Sequence, residues 1–153
     1  MRMKLLMVAV IAASGIGLAS CNKKDSAKPA GTFSLKVDSI SYNSNATTAS
    51  FTDTVVVGKK TLIVDGVTNN FSYHLQLMIT FPDSIHTGSF DQQVNLSLMN
   101  VQQLKGTGFL SKYIKVNITS INSKYAEGTF SGQLTDGVIE KPLTDGTFKV
   151  DIN

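Results

Sequence analysis

The chain has 153 residues, 42% of them apolar and 16% charged, which is enough for one domain with one hydrophobic core and too apolar for a disordered tail. Its formal charge of +3 sits at the front: from Gly31 onward nine lysines face ten acids. Nucleic acid binding needs cations clustered on the folded body, so this balance excludes it.

In chain order, Arg2 and Lys4 lead into LLMVAVIAASGIGL, a fourteen-residue apolar run from Leu5 to Leu18. A basic start with an apolar middle is the pattern of an export signal, and the run falls short of the ~20 residues of a bilayer-spanning helix. Leu18-Ala19-Ser20-Cys21 follows, and Cys21 is the single cysteine of the chain. No disulfide is available, so the domain stands on its core.

These residues resemble the signal and lipobox of bacterial lipoproteins. The resemblance implies that residues 1–20 are removed, that Cys21 carries a diacylglyceryl thioether and usually an acylated amino terminus, and that the membrane is the partner through that lipid. A thiolate is the strongest ordinary nucleophile near neutral pH, which suits it to such chemistry. Two or three acyl chains, at ~0.8 kcal/mol per buried methylene, hold a protein stably on a bilayer. Asn22 is not the Asp that goes with inner-membrane retention, so the expected place is the cell envelope and its outer membrane, with the facing side left open.

Residues 21–31, rich in Lys, Ser, Ala, Pro and Gly, have the composition of a flexible tether, and residues 32–153 form the expected domain. There the apolar residues alternate. In FSYHLQLMITF, Phe71, Tyr73, Leu75, Leu77, Ile79 and Phe81 share one face, and Pro82 ends the run. VNLSL (94–98), YIKVNI (113–118) and FKVDI (148–152) repeat the pattern. Further expected strands are FSLKVDSISY (33–42) with a bulge near Asp38 and Ser39, SFTDTVVV (50–57), TLIV (61–64) and EGTFSGQL (127–134). Asp-Gly pairs at 65–66, 136–137 and 145–146 signal hairpin turns. About eight or nine short strands predict an all-β fold, either an antiparallel sandwich or a flattened barrel.

The tripeptide Gly-Thr/Ser-Phe recurs at 31–33, 88–90, 128–130 and 146–148. It is expected to be a strand entry, with Gly ending a turn, Thr or Ser outside and Phe in the core. IKVNITSINSKYAEGTFSGQL followed by LTDGTFKVDI resembles the ending of a family of small, functionally uncharacterised Bacteroidota lipoproteins. That resemblance implies an all-β lipoprotein and assigns no activity.

No catalytic, metal or cofactor site is expected. His74 and His86 are twelve apart on different elements, unlike the clustered ligands of a zinc site. The aspartates fall in expected turns, and no nucleophile elbow, phosphate loop or dinucleotide fingerprint occurs. With no Trp and most Phe and Tyr on core positions, an aromatic sugar platform finds little support; Tyr42, Tyr113 and Tyr125 are the least committed to a core face. Asp-Ser/Thr-apolar triplets begin at Asp25, Asp38, Asp53 and Asp83 and resemble the acceptor pattern of Bacteroidota O-glycosylation. Ser26 in the tether and Ser84 in a turn are the candidate acceptors, with Ser39 and Thr54 expected inside strands. The functional expectation is a non-enzymatic, lipid-anchored binding or structural module. The alternatives are a barrel holding a small apolar ligand, or a hydrolase with an unrecognised site.

Overall fold

The computed structural model describes residues 31–102 and 108–153, so the expected signal peptide, Cys21 and Ser26 lie outside the described residues. Nine strands occur among them: β1 (Gly31–Val37), β2 (Ile40–Thr52), β3 (Thr61–Val67), β4 (Tyr73–Thr80), β5 (Gly88–Phe90), β6 (Val94–Asn100), β7 (Gly108–Ile121), β8 (Tyr125–Thr135) and β9 (Glu140–Asp151). Every ladder is antiparallel. Strands β1, β2, β3, β4, β6, β7, β8 and β9 follow one another up and down, and β9 pairs back onto β1, closing an eight-stranded barrel. Closure selects the barrel over the sandwich and removes free edges.

The short β5 is the additional strand. It pairs with Ile118–Val116 of β7, on the edge whose other half, Gly108–Leu110, pairs with β6. Where β6 leaves that edge, the Leu96 amide donates to Ser111 Oγ at 3.0 Å.

Alternation works as expected in the strands that carry it. Leu75, Leu77, Ile79 and Phe81 are wholly buried, as are Leu96 and Leu98 on β6 and Ile114, Val116 and Ile118 on β7. With Phe33, Leu35, Phe148 and Val150 they occupy the barrel interior. An eight-stranded barrel is about wide enough for its own side chains to fill.

Several sequence expectations are corrected. Asp38 and Ser39 form no bulge; they are the two-residue turn between β1 and β2, with Asp38 at φ 58° and Val37 paired to Ile40. The parity change marked a new strand rather than a defect. SFTDTVVV is not one strand, because β2 ends at Thr52 and residues 54–58 form a turn. Phe71 does not share the core face. It precedes β4, has φ 56° and is 74% exposed. Tyr42, by contrast, is buried, with its ring edge-on to Tyr73 at 5.1 Å.

Of the three Asp-Gly pairs, only 136–137 lies in a hairpin connection. Asp65-Gly66 lies inside β3, where a Cβ on Gly66 would stand 2.8 Å from Ser44 Oγ and 3.0 Å from Thr47 Oγ1. Asp145 bulges out of β9 at φ 53° and pairs with Lys36 at 3.1 Å.

The recurring tripeptide opens β1 at 31–33 and β5 at 88–90 with Phe buried, as expected, but at 128–130 and 146–148 it lies inside β8 and β9 and has a different role. Gly128-Thr129-Phe130 lies antiparallel to Gly146-Thr147-Phe148, so that Gly128 faces Phe148, Thr129 faces Thr147 and Phe130 faces Gly146. Each glycine is the space that the opposite phenyl ring fills: a Cβ on Gly128 would stand 2.8 Å from Phe148 Cζ, and one on Gly146 2.5 Å from Phe130 Cδ2. Phe33 joins the cluster, paired with Phe148 and edge-on to Phe130 at 5.4 Å.

One buried polar pair tests the ladder between β3 and β4. Thr61 and Thr80 are buried opposite each other with their hydroxyls 2.8 Å apart. Thr61→Val alone strands the Thr80 hydroxyl and is expected to cost about 1–3 kcal/mol, whereas replacing both is expected to be nearly neutral. Denaturant melts of the two singles and the double check this; equal costs for single and double would refute it.

Candidate functional site

Strict up-and-down order sorts the connections between two ends of the barrel. The end where Gly31 enters also carries the 53–60 and 81–87 loops, the 122–124 turn and Asn153. Asn153 donates its amide to the Ala49 carbonyl at 3.0 Å, tying the carboxyl terminus across that end. The opposite end carries the 38–39 turn, the 68–72 turn, Val101 and the 136–139 connection. Six of the exposed large apolar residues gather at this far end: Ile40, Phe71, Val101, Leu110, Val138 and Ile139.

The far end holds an open cleft of about 160 Å³, lined by Ser41, Asn43, Thr68, Asn69 and Asn70, the last of which Phe71 follows in the chain. It forms because β2 outruns its partner: β3 leaves the ladder after Thr47↔Gly66, and the 68–72 turn folds against the bare edge. The Asn69 amide donates to the Asn43 carbonyl at 2.8 Å, and the Asn45 amide donates to Asn69 Oδ1 at 2.9 Å. Within the turn, Thr68 Oγ1 donates to Asn70 Oδ1 at 2.7 Å, the Ser72 amide donates to the same oxygen at 3.1 Å, and the Phe71 amide donates to the Thr68 carbonyl at 2.7 Å. Asx and Ser/Thr turns of this kind are self-supporting.

Two longer shallow grooves, of about 370 and 360 Å³, lie on the outer face of β1, β9, β8 and β7 and meet at Thr129 and Thr147. Registers place Ser34, Thr147, Thr129, Asn117 and Ser89 in one row across five strands. The Ser34 and Thr147 hydroxyls lie 2.8 Å apart. This face is small, hydroxylic and flanked by Lys115, Asp145, Glu127 and Lys149.

On the outer face of β3 and β4, His74 Nε2 lies 2.9 Å from Asp65 Oδ1, and Gln76 Nε2 donates to Asp65 Oδ2 at 2.9 Å. His74 is thus the outward strand residue expected. His86 is in the loop, as expected, with its ring 5.2 Å from Phe90 and its Nδ1 2.6 Å from the Ser84 carbonyl. The two histidines stand at opposite ends of the barrel.

Tyr125 and Asp136 have shifted titrations with structural causes. Burial pushes the Tyr125 phenol up to about 12, helped by its hydrogen bond to Glu127 and by the charges of Glu127 and Asp151. Asp136 is held low by the Ile139 and Val138 amides that it accepts at 2.9 Å, as the cap of its own turn. Tyrosine is neutral when protonated, so a raised phenol in the fold stabilises below pH 10 and loses that contribution as pH rises through 10 towards 12. The expected outcome is a melting temperature that falls over this range, less steeply in Tyr125→Phe; identical profiles would refute it.

Ser84 lies in an exposed loop, as expected. Ser39 and Thr54 were expected inside strands and instead occupy exposed turns, so the hydroxyl residues of the three Asp-Ser/Thr-apolar triplets within the described residues all lie in connections. The cleft at the 68–72 turn was missed by sequence reading, because alternation assigned Phe71 to the core; the Thr-Asn-Asn run before it was the one available signal. Compared with protein-family models, curated proteins and solved structures, the chain finds no match.

Proposed function

We propose that this protein is a lipid-anchored lipoprotein of the bacterial cell envelope, of the Bacteroidota type, whose barrel is a non-enzymatic binding or structural module. The observation that carries the reading is Leu18-Ala19-Ser20-Cys21 directly behind a basic and apolar leader. The entry point of the chain supports it. Gly31 lies at one end of the barrel, so a tether from Cys21 presents the far end, with its cleft and exposed apolar residues, away from the bilayer.

The tether end suits a bilayer surface. Val57 stands 94% exposed in the 53–60 loop and Lys59 follows it, while Lys60 is paired with Asp53 at 3.3 Å. Lysines near anionic headgroups contribute up to ~1 kcal/mol each. The outer membrane is the proposed location, following Asn22. On the same reading, Ser26, Ser84, Ser39 and Thr54 are candidate glycan acceptors.

Cys21→Ser tests the anchor. The wild-type protein is expected in the membrane fraction with acyl mass on residue 21, and the serine variant in the soluble fraction. A serine variant that stays with membranes, or a mature start elsewhere than Cys21, overturns the reading.

Closure at eight strands is also compatible with a second reading, a small apolar molecule held inside the barrel in place of part of the side-chain filling. Native mass spectrometry of protein extracted from its host membrane would show the added mass. A bare polypeptide mass on the soluble variant removes this reading.

A further inference from the structure

We propose that the cleft between β2 and the 68–72 turn binds one ring of an uncharged glycan, with Phe71, the residue after its lining Asn70, turning to cover that ring. This deepens the binding-module reading of the barrel and is independent of the anchor.

The turn commits its acceptors and leaves its donors free. A backbone N–H can be received only by oxygen, so the Asn45 amide fixes Asn69 Oδ1 inward and the Ser72 amide fixes Asn70 Oδ1 inward. The two Nδ2 groups then have no hydrogen-bond partner among the described residues. The Ser41 hydroxyl and the whole Asn43 carboxamide are likewise unused there, and all four residues are exposed. Donors on the turn and both donors and acceptors on β2 are therefore held ready, the turn being already braced by hydrogen bonds of its own and to β2, before any ligand arrives.

Charge and size narrow the ligand. The five lining residues are all neutral, which gives an anion or a cation no counter-charge. A sugar hydroxyl both donates and accepts, and carboxamides answer both needs. The volume of about 160 Å³ is well below the roughly 300 Å³ at which pockets for whole drug-sized ligands begin, so the cleft takes a single ring with the rest of the chain outside.

Phe71 supplies the apolar contact. It directly follows Asn70, holds φ 56° in the left-handed region, and leaves its side chain 74% exposed, so its backbone strain is repaid by no core packing. Strain of this sort collects at ligand sites. A phenyl face carries negative charge density that attracts the C–H edges of a sugar ring.

The test uses the full lipidated chain in a detergent without a sugar headgroup. Saturation-transfer NMR is recorded with glucose, galactose, mannose, N-acetylglucosamine and their neutral oligomers, and with a short unstructured Gly-Ala peptide. Binding of at least one neutral sugar in the millimolar range is expected, weakened about tenfold by Phe71→Gly and by Asn43→Ala. Phe71→Gly is also expected to keep or raise the melting temperature, because glycine accepts the φ that phenylalanine resists. No transfer to any neutral sugar, transfer unchanged in both variants, or a Phe71-dependent response to the peptide alone would overturn the proposal. Cys21→Ser separates the two readings: it should bind sugar as the wild type does, whichever fraction it occupies.

Discussion

Phe148→Ala is expected to lower the stability of the barrel by about 4 kcal/mol, read as a fall in melting temperature of roughly 15 °C. The phenyl ring is fully buried, fills the space above Gly128 and faces Phe33 across the β1–β9 ladder that closes the barrel. Truncation leaves a cavity at the one junction where the first and last strands meet. Neighbouring ladders hold backbone on both sides, so the hole cannot collapse without breaking pairing. Phe148→Leu, which refills most of the volume, should recover more than half of the loss. A melt of Phe148→Ala within a few degrees of the wild type would refute the interlock between the two Gly-Thr-Phe segments.

Gly146→Val is expected to cost about 3 kcal/mol or more, from overpacking rather than from a void. A Cβ at this position would stand 2.4 Å from the Phe130 carbonyl oxygen as well as 2.5 Å from its ring. Trimming the ring cannot rescue the variant, because the carbonyl belongs to the ladder. Gly146→Val combined with Phe130→Ala should therefore be worse than either alone. Gly58→Ala makes the contrast: nothing lies within 4 Å of its Cβ, and the cost is confined to φ 78°, about 1 kcal/mol. Chemical denaturation of the three variants orders them, and a Gly146→Val barrel as stable as Gly58→Ala would show that the β8–β9 pairing is wrong.

Legibility in the sequence followed burial. Strands β4, β6 and the second half of β7 alternate because one face meets the core and the other meets water, and a two-residue period states that directly. Where the chain leaves the core, composition misleads. Val55, Val56 and Val57 are three strand-favouring residues in a row, yet residues 54–58 turn, and Val57 is exposed to solvent. Phe71 continued the parity of β4 by one step, but Thr68 and Asn70 bind the backbone of their own turn and reverse the chain there. Side-chain hydrogen bonds of that kind outweigh alternation over two or three residues.

By itself the amino-acid sequence determined the all-β class and which residues of the central strands face inward, because each is a local pattern of polarity. Tertiary structure alone decided that β9 returns to β1, that the Asp-Gly pairs at 65–66 and 145–146 lie within strands, that the Gly-Thr-Phe segments of β8 and β9 face each other as holes and rings, and that Phe71 is exposed on a turn whose neighbours line a cleft. Those outcomes depend on which strands pair, whether neighbours such as β8 and β9 or the first and last, or on what a turn touches when it folds back, and no local period records either.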